Sequence, residues 1–150
     1  MDLSHVDEQG AASMVDISSK PEVKRTATAR GKIILRPETI ELIRGRLVKK
    51  GDVLAAARIA GISAAKKTWD LIPLCHNIAI DRVAVDFDIA EDGIEIRSTA
   101  VCTGRTGIEM EALTAVAVAA LTIYDMCKSA DGEMRIEGVA LVEKVKEDPR

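Results

Sequence analysis

Residues 112–124 carry no charged side chain, in a chain that is 30% charged overall. Ala112, Leu113, Ala115, Val116, Ala117, Val118, Ala119, Ala120, Leu121 and Ile123 fall on every side of the helix predicted over residues 106–129. A helix that is apolar all round is buried all round. At 150 residues the chain is about one domain long, and one sheet covers one side of a helix. The opposite side is therefore expected to meet a second subunit. The charge-free run is too short for a membrane span, which needs about 20 residues. No basic start followed by an apolar core marks a secretory signal. With 47% hydrophobic residues the chain reads as soluble and globular, without a membrane partner.

The other elements follow from periodicity and punctuation. Residues 23–35 alternate, with Arg25, Ala27, Ala29, Gly31, Ile33 and Leu35 on one face and Lys24, Thr26, Thr28, Arg30 and Lys32 on the other, which predicts a strand. Pro37 suits the first position of a helix that ends near Gly45. Asp52 caps a second helix running to about Lys66, and Pro73 closes that region. Residues 82–89 alternate again, with Val83, Val85, Phe87 and Ile89 inward. Asp92-Gly93 signals a hairpin into a returning strand over residues 94–102. Residues 134–142 form the last strand. Its apolar phase passes from Met134 and Ile136 to Val139 and Leu141 at Gly138, which predicts a bulge. The order β-α-β-β-α-β, with the first helix broken in two, predicts an α+β ferredoxin-like fold: a four-stranded antiparallel sheet with helices on one face.

The net charge of −3 conceals an asymmetry. Residues 20–67 hold 13 Lys and Arg against 4 acids, and the rest holds 8 against 20. The basic stretch is either a set of solvated helix faces or the wall of a pocket for an anion. Nucleic acid is not an expected partner. Trp69, Phe87 and Tyr124 are the only aromatics, too few for stacking platforms, and no zinc-finger or RNA-recognition motif is present. Cys75, Cys102 and Cys127 are odd in number and widely spaced, so neither a disulfide framework nor a zinc knuckle follows. A reducing, cytoplasmic setting is expected.

Four segments can carry chemistry, each with a plainer alternative. Thr106-Gly107-Ile108-Glu109 has the form of a capping box, with Glu109 bonded back to the Thr106 amide. The same helix start, with Met110 and Glu111 in its first turn, can instead hold an anion or a polar ring edge on its free N–H groups. Asp125 and Lys128 are neighbours on one helix face. They form an ordinary ion pair, or, if the charge-free stretch before them is buried, a coupled proton donor and acceptor. His76 follows Leu74-Cys75 where the helical pattern breaks, and it is structural, a phosphate ligand or a proton shuttle. His5 is the only other histidine, so no metal site is expected. Lys49-Lys50-Gly51-Asp52 places basic groups before a helix start, a weak phosphate signal and not a Walker loop. Glu111 and Asp125 lie 14 residues apart, about 21 Å along a straight helix. One reacting centre cannot touch both unless the helix breaks or two chains contribute opposite ends. The all-round apolar helix favours two chains.

Long, ordered motifs add a specific likeness. They are Met14-Val15-Asp16-Ile17, Lys50-Gly51-Asp52-Val53, Ala57-Arg58-Ile59-Ala60-Gly61-Ile62, Ala64-Ala65-Lys66-Lys67-Thr68, Asp70-Leu71-Ile72-Pro73-Leu74-Cys75-His76, Thr106-Gly107-Ile108-Glu109-Met110-Glu111-Ala112-Leu113-Thr114-Ala115 and Ala119-Ala120-Leu121-Thr122-Ile123-Tyr124-Asp125-Met126-Cys127-Lys128. From about Met14 to Lys144 the chain resembles the MoaC family, the cyclic pyranopterin monophosphate synthases of molybdenum cofactor biosynthesis. The resemblance implies a ferredoxin-like protomer in a homohexamer, a trimer of dimers with the active site at the dimer interface. The implied substrate is 3′,8-cyclo-7,8-dihydro-GTP and the products are cyclic pyranopterin monophosphate and pyrophosphate, with no metal or organic cofactor. It implies catalytic roles for Asp125, Lys128 and Lys50. Leu74, Cys75 and His76, and Met110 and Glu111 beside Glu109, match substrate-contacting segments.

Asp125 and Lys128 are then expected to be the acid–base pair, with Lys50 and His76 as anion and proton-transfer partners. Residues 1–13 are expected to be loose and residues 14–150 to form one catalytic domain. Family members commonly end in a Gly-Gly-Lys-Ser-Gly-like tail, where this chain runs Lys144-Val145-Lys146-Glu147-Asp148-Pro149-Arg150. Fold and basic segment alone also allow a regulatory module that binds a purine nucleotide at a subunit interface.

Overall fold

The alternation in the first strand is present in space. In the computed structural model, which describes residues 4–148, β1 (Val23–Ile34) is flanked by β3 (Gly93–Gly104) and β4 (Arg135–Glu147), with β2 (Arg82–Ile89) outside β3. Every pairing is antiparallel and the sheet order is β2-β3-β1-β4. With the helices this makes the expected α+β ferredoxin-like architecture. Residues 1–3 and 149–150 lie outside the described residues, and with them the start of the segment expected to be loose and the end of the tail. Ahead of β1, Val6 and Ala12 form an isolated antiparallel bridge around a turn in which the Asp7 carboxylate accepts from the Gln9 and Ala11 amides.

Local chemistry sets the helices. Pro37 opens α1 (Pro37–Arg44), and the Gly45 amide closes it on the Glu41 carbonyl. Asp52 caps α2 (Val53–Lys66) by accepting from the Ala55 amide at 3.2 Å. A one-turn helix, α3 (Thr68–Leu71), follows where the pattern showed only an ending. Its buried Thr68 hydroxyl bonds the Ala64 and Ala65 carbonyls, so the side chain closes α2 and the backbone turns again at once.

The long helix starts later than expected. α4 is Glu109–Cys127, with Ile108 at the N-cap and no side-chain cap bond. The capping box therefore does not form. β3 runs on to Gly104, residues 105–108 are spent reversing the chain, and Glu109 becomes the first helical residue rather than the third. At 19 residues α4 is long and apolar enough to cross a membrane by composition, which the charge-free run alone did not suggest. Packing accounts for that composition. Ala112, Ala115, Val116, Ala119, Ala120 and Ile123 are wholly buried against the sheet and α2. The sheet is thus not the only cover, since α2 takes a second flank. A third side stays open, where Leu121 is 57% and Tyr124 38% exposed, and Val139 and Leu141 of the edge strand are exposed as well.

Two bulges rephase β4 against β1. Register shifts fall opposite Arg30–Lys32 and between Thr28 and Ala29, the first at Gly138 (φ +64°) as expected, the second at Val142. Gly93 serves closeness rather than a left-handed turn. A Cβ there would collide with the Ile33 carbonyl across the sheet.

Gly61 of α2 meets α4 with no room for a side chain: a Cβ would sit 2.8 Å from the Ala115 carbonyl and 3.4 Å from the Ala119 methyl. Gly61→Ala gains about 1 kcal/mol of helix propensity but pushes two backbones apart, at a cost of about 1–3 kcal/mol. Urea unfolding is expected to show net destabilisation. Gly132→Ala, which meets open space, is expected to stay within about 0.5 kcal/mol of the parent.

Candidate active site

At the C-terminal end of α4, one carboxylate holds two ammonium groups. Asp125 Oδ1 is 2.9 Å from Lys128 Nζ, one helical turn on, and Asp125 Oδ2 is 3.2 Å from Lys50 Nζ. Lys50 also donates to the Asp125 carbonyl at 3.0 Å. It arrives from the loop after α1, which turns through Gly51 at φ +116°. The Lys128 and then the Lys50 hydrogen bonds hold the Asp125 carboxyl below the usual carboxylate range, and Asp125 raises Lys128 in turn. The three side chains are 47–59% exposed, so within the protomer Asp125 and Lys128 form an exposed ion pair. Exposed ion pairs contribute little stability, about 0–1 kcal/mol. What the arrangement offers is chemical: two donors and one acceptor within reach of an anionic guest.

The other predicted residues gather at the opposite end of α4. Glu111 is 3% exposed, and burial, with Glu109 nearby, pushes its carboxyl up to about 7. The half-buried Cys75 thiol is raised by burial first, then by Glu111 and Glu109, which places the Leu74-Cys75-His76 segment beside Glu109-Met110-Glu111. Burial lifts Cys102 and Cys127 to about 11, so neither is a ready thiolate. His76 Nε2 lies 2.7 Å from the Val15 carbonyl, which can only accept, so that nitrogen carries the proton and Nδ1 is left for other partners. His76 follows Cys75, whose thiol feels Glu111 and Glu109, and among the described residues it makes no hydrogen bond to Lys50, Asp125 or Lys128.

A feature that sequence reasoning did not assemble lies at this same end. A cavity of about 310 Å³ is lined by Lys20, Arg25, Lys144 and Lys146 together with Thr106 and Glu109. Lys144 Nζ stands 3.8 Å from Glu109 Oε1. Arg25 Nη2, Glu109 Oε2 and Glu111 Oε2 are buried without hydrogen-bond partners among the described residues. An unmet buried polar group costs about 1–3 kcal/mol, so three at one locality mark a place built to receive a polar guest. The basic stretch is therefore not one wall. Lys20 and Arg25 line this cavity, Lys50 joins the Asp125 end, and Arg30 and Lys32 line a separate groove with Arg97. Among the described residues no three His, Cys, Asp or Glu side chains converge as metal ligands.

α4 is unbroken between the two groups, so the rise of about 21 Å from Glu111 to Asp125 stands. Within one chain the two groups therefore lie too far apart to act on one reacting centre.

The MoaC family model matches residues 14–147. The cyclic pyranopterin monophosphate synthase of Novosphingobium aromaticivorans is 60% identical over 143 residues, spanning 95% of this chain and 91% of that protein. Cyclic pyranopterin monophosphate synthase 1 of Mycobacterium tuberculosis is 56% identical over 143 residues, with 95% and 84% covered. The cyclic pyranopterin monophosphate synthase of Desulfitobacterium hafniense is 55% identical over 145 residues, with 96% and 89% covered.

The raised Glu111 carboxyl has a defined sign in stability. The unfolded chain loses this proton near 4.5, the folded chain near 7. Between those values the unfolded state binds fewer protons, so stability falls as pH rises and levels off above about 7. Glu111→Gln removes this dependence. Thermal melts are expected to show the variant gaining on the parent from pH 4.5 to 7, with a constant advantage above.

Proposed function

The chain belongs to the MoaC family, and we propose that it is a cyclic pyranopterin monophosphate synthase, a lyase of molybdenum cofactor biosynthesis, whose active site is completed by two copies of the chain. Its substrate in this reading is 3′,8-cyclo-7,8-dihydro-GTP, and its products are cyclic pyranopterin monophosphate and pyrophosphate. The reaction opens the purine imidazole ring, builds the pterin ring and closes a cyclic phosphate. The ring changes break and form C–N bonds under proton transfer, and the cyclic phosphate closes as pyrophosphate leaves, all without redox change. Positioned acids and bases, each worth about 10²–10⁴-fold, suffice.

The division of labour follows the two partial sites. Lys20, Arg25, Lys144 and Lys146 surround one cavity and would neutralise the triphosphate and the departing pyrophosphate. Glu111, titrating near 7, can hold or release a proton at neutral pH. Its neighbours Leu74, Cys75, His76, Glu109 and Met110 would contact the substrate. Asp125 and Lys128 act as the acid–base pair, with Lys50 beside them on the same carboxylate. The separation of about 21 Å along a continuous α4 carries the reading. A two-fold dimer places the C-terminal end of one α4 against the cavity of its partner. The exposed Leu121, Tyr124, Val139 and Leu141 supply an apolar face for that contact. Three such dimers would make the hexamer. Three free thiols suit a reducing cytoplasm, and residues 14–150 would form the catalytic unit.

Complementation tests this. Asp125→Asn and Lys144→Ala are each expected to lose turnover, read as pyrophosphate released from the cyclised GTP precursor. Mixed one to one, they are expected to recover about a quarter of parent activity, because an isologous mixed dimer rebuilds one intact site of its two. No recovery on mixing would place the site within one copy. Precursor binding without any pyrophosphate release by the parent would make the protein a regulatory module instead.

A further inference from the structure

The Asp131 side chain is fully shielded from solvent, in the turn that follows α4. Oδ2 accepts from the Arg36 amide at 2.9 Å and from the Thr39 hydroxyl at 2.9 Å. Oδ1 accepts from the Glu133 amide at 3.0 Å and lies 3.3 Å from Arg36 Nε. Arg36 reaches further, donating from Nη2 to the Ala130 carbonyl at 2.6 Å. The partners come from different parts of the fold: Arg36 from the junction of β1 with α1, Thr39 from the first turn of α1, Glu133 from the turn into β4. Burial pushes the Asp131 carboxyl up, but the two amides, the hydroxyl and the guanidinium outweigh it and hold the group ionised.

The position of this carboxylate gives it a second consequence. The Ala130 and Asp131 amides bond the Cys127 carbonyl, so Asp131 is tied to the last turn of α4, three residues after Lys128. α1, which Asp131 grips at Thr39, leads through Gly45 into the loop that delivers Lys50. One buried group therefore joins the element that carries Lys50 to the element that carries Asp125 and Lys128. We propose that Asp131 is a positioning residue for the reaction: with Arg36 and Thr39 it ties the start of α1 to the turn that leaves α4, so that Lys50 meets Asp125 in register. The inference rests on the reading of Asp125, Lys128 and Lys50 as groups acting on substrate.

Asp131→Asn is the first test, because an amide must aim its NH₂ at one of the N–H donors that now face a carboxylate. Turnover and the titration of the Asp125 carboxyl, followed by carbon NMR, are measured on the intact assembly at a temperature where it stays folded. The expected result is a kcat lower by about tenfold or more, in line with the cost of misplacing catalytic groups from a distance, with KM within about twofold. The Asp125 carboxyl is expected to titrate at higher pH as the Lys50 contact loosens. Arg36→Ala removes one arm of this tie from a side chain that is 45% exposed, and it carries the test if Asp131→Asn does not fold. It is expected to shift both readouts the same way by less. A folded variant with parent kcat and an unmoved Asp125 titration, whatever its melting temperature, would overturn the proposal. Asp125→Asn is run beside it. Normal turnover there would overturn the reading of the catalytic group, while the Asp125 titration still decides whether the tie sets the geometry.

Discussion

A continuous 19-residue helix cannot bring its two ends to one point. α4 is the core of the protomer: its alanines and valines fill the space between the sheet and α2, and Gly61 lets the two helices approach to backbone contact. A break in the helix would open that core, so the fold cannot bend α4 to unite its ends. Yet both ends carry the polar side chains of the fold's candidate chemistry. In the proposed function a second copy supplies the missing end, and the apolar stripe that α4 leaves uncovered at Leu121 and Tyr124 serves the same requirement as the polar ends.

The two ends differ in physical character, which suits different work. The Asp125 group is exposed and multiply paired, and its pairing holds the Asp125 carboxyl below the usual carboxylate range. Glu111 is buried, and burial, with Glu109 nearby, raises its carboxyl to where it can exchange a proton near pH 7. The cations around the adjoining cavity supply positive potential beside it. Docking a partner's Asp125 end here would also remove solvent from ion pairs that contribute little while exposed, and strengthen their fields.

Much of this was legible where a residue acts on its own neighbours. Pro37 and Asp52 mark helix starts because a fixed φ and a short carboxylate need nothing from the rest of the chain. The alternation in residues 82–89 gives β2 to the residue, and the all-round apolar pattern of α4 announced its burial. The illegible parts depend on distance. The Thr106 capping box looked complete as a motif, but the length of β3 decides where the helix begins. Asp131 lies in an ordinary polar turn by sequence, and its partners Arg36 and Thr39 are more than 90 residues away. The hydrogen bond of His76 to the Val15 carbonyl joins residues 61 apart, which no local pattern announces.

The cationic cavity shows how a small backbone irregularity sets the electrostatics. Across an antiparallel pair, residues directly opposite share a face. Ala29 opposite Leu141 points toward the helices, and an unbroken ladder would next set Ala27 against Glu143 and Arg25 against Val145. The bulge at Val142 instead pairs Ala27 with Lys144 and Arg25 with Lys146. One extra residue thus turns Glu143 outward and brings two lysines to the side where Arg25 already points. The earlier bulge at Gly138 does the matching service for the apolar part of β4, keeping Val139 and Leu141 on the helix side after Ile136. The phase change visible at Gly138 was half of the device. The other half, at Val142, is hidden because the polar run after it has no apolar phase to break, and it is this half that gathers the positive charge beside Glu109.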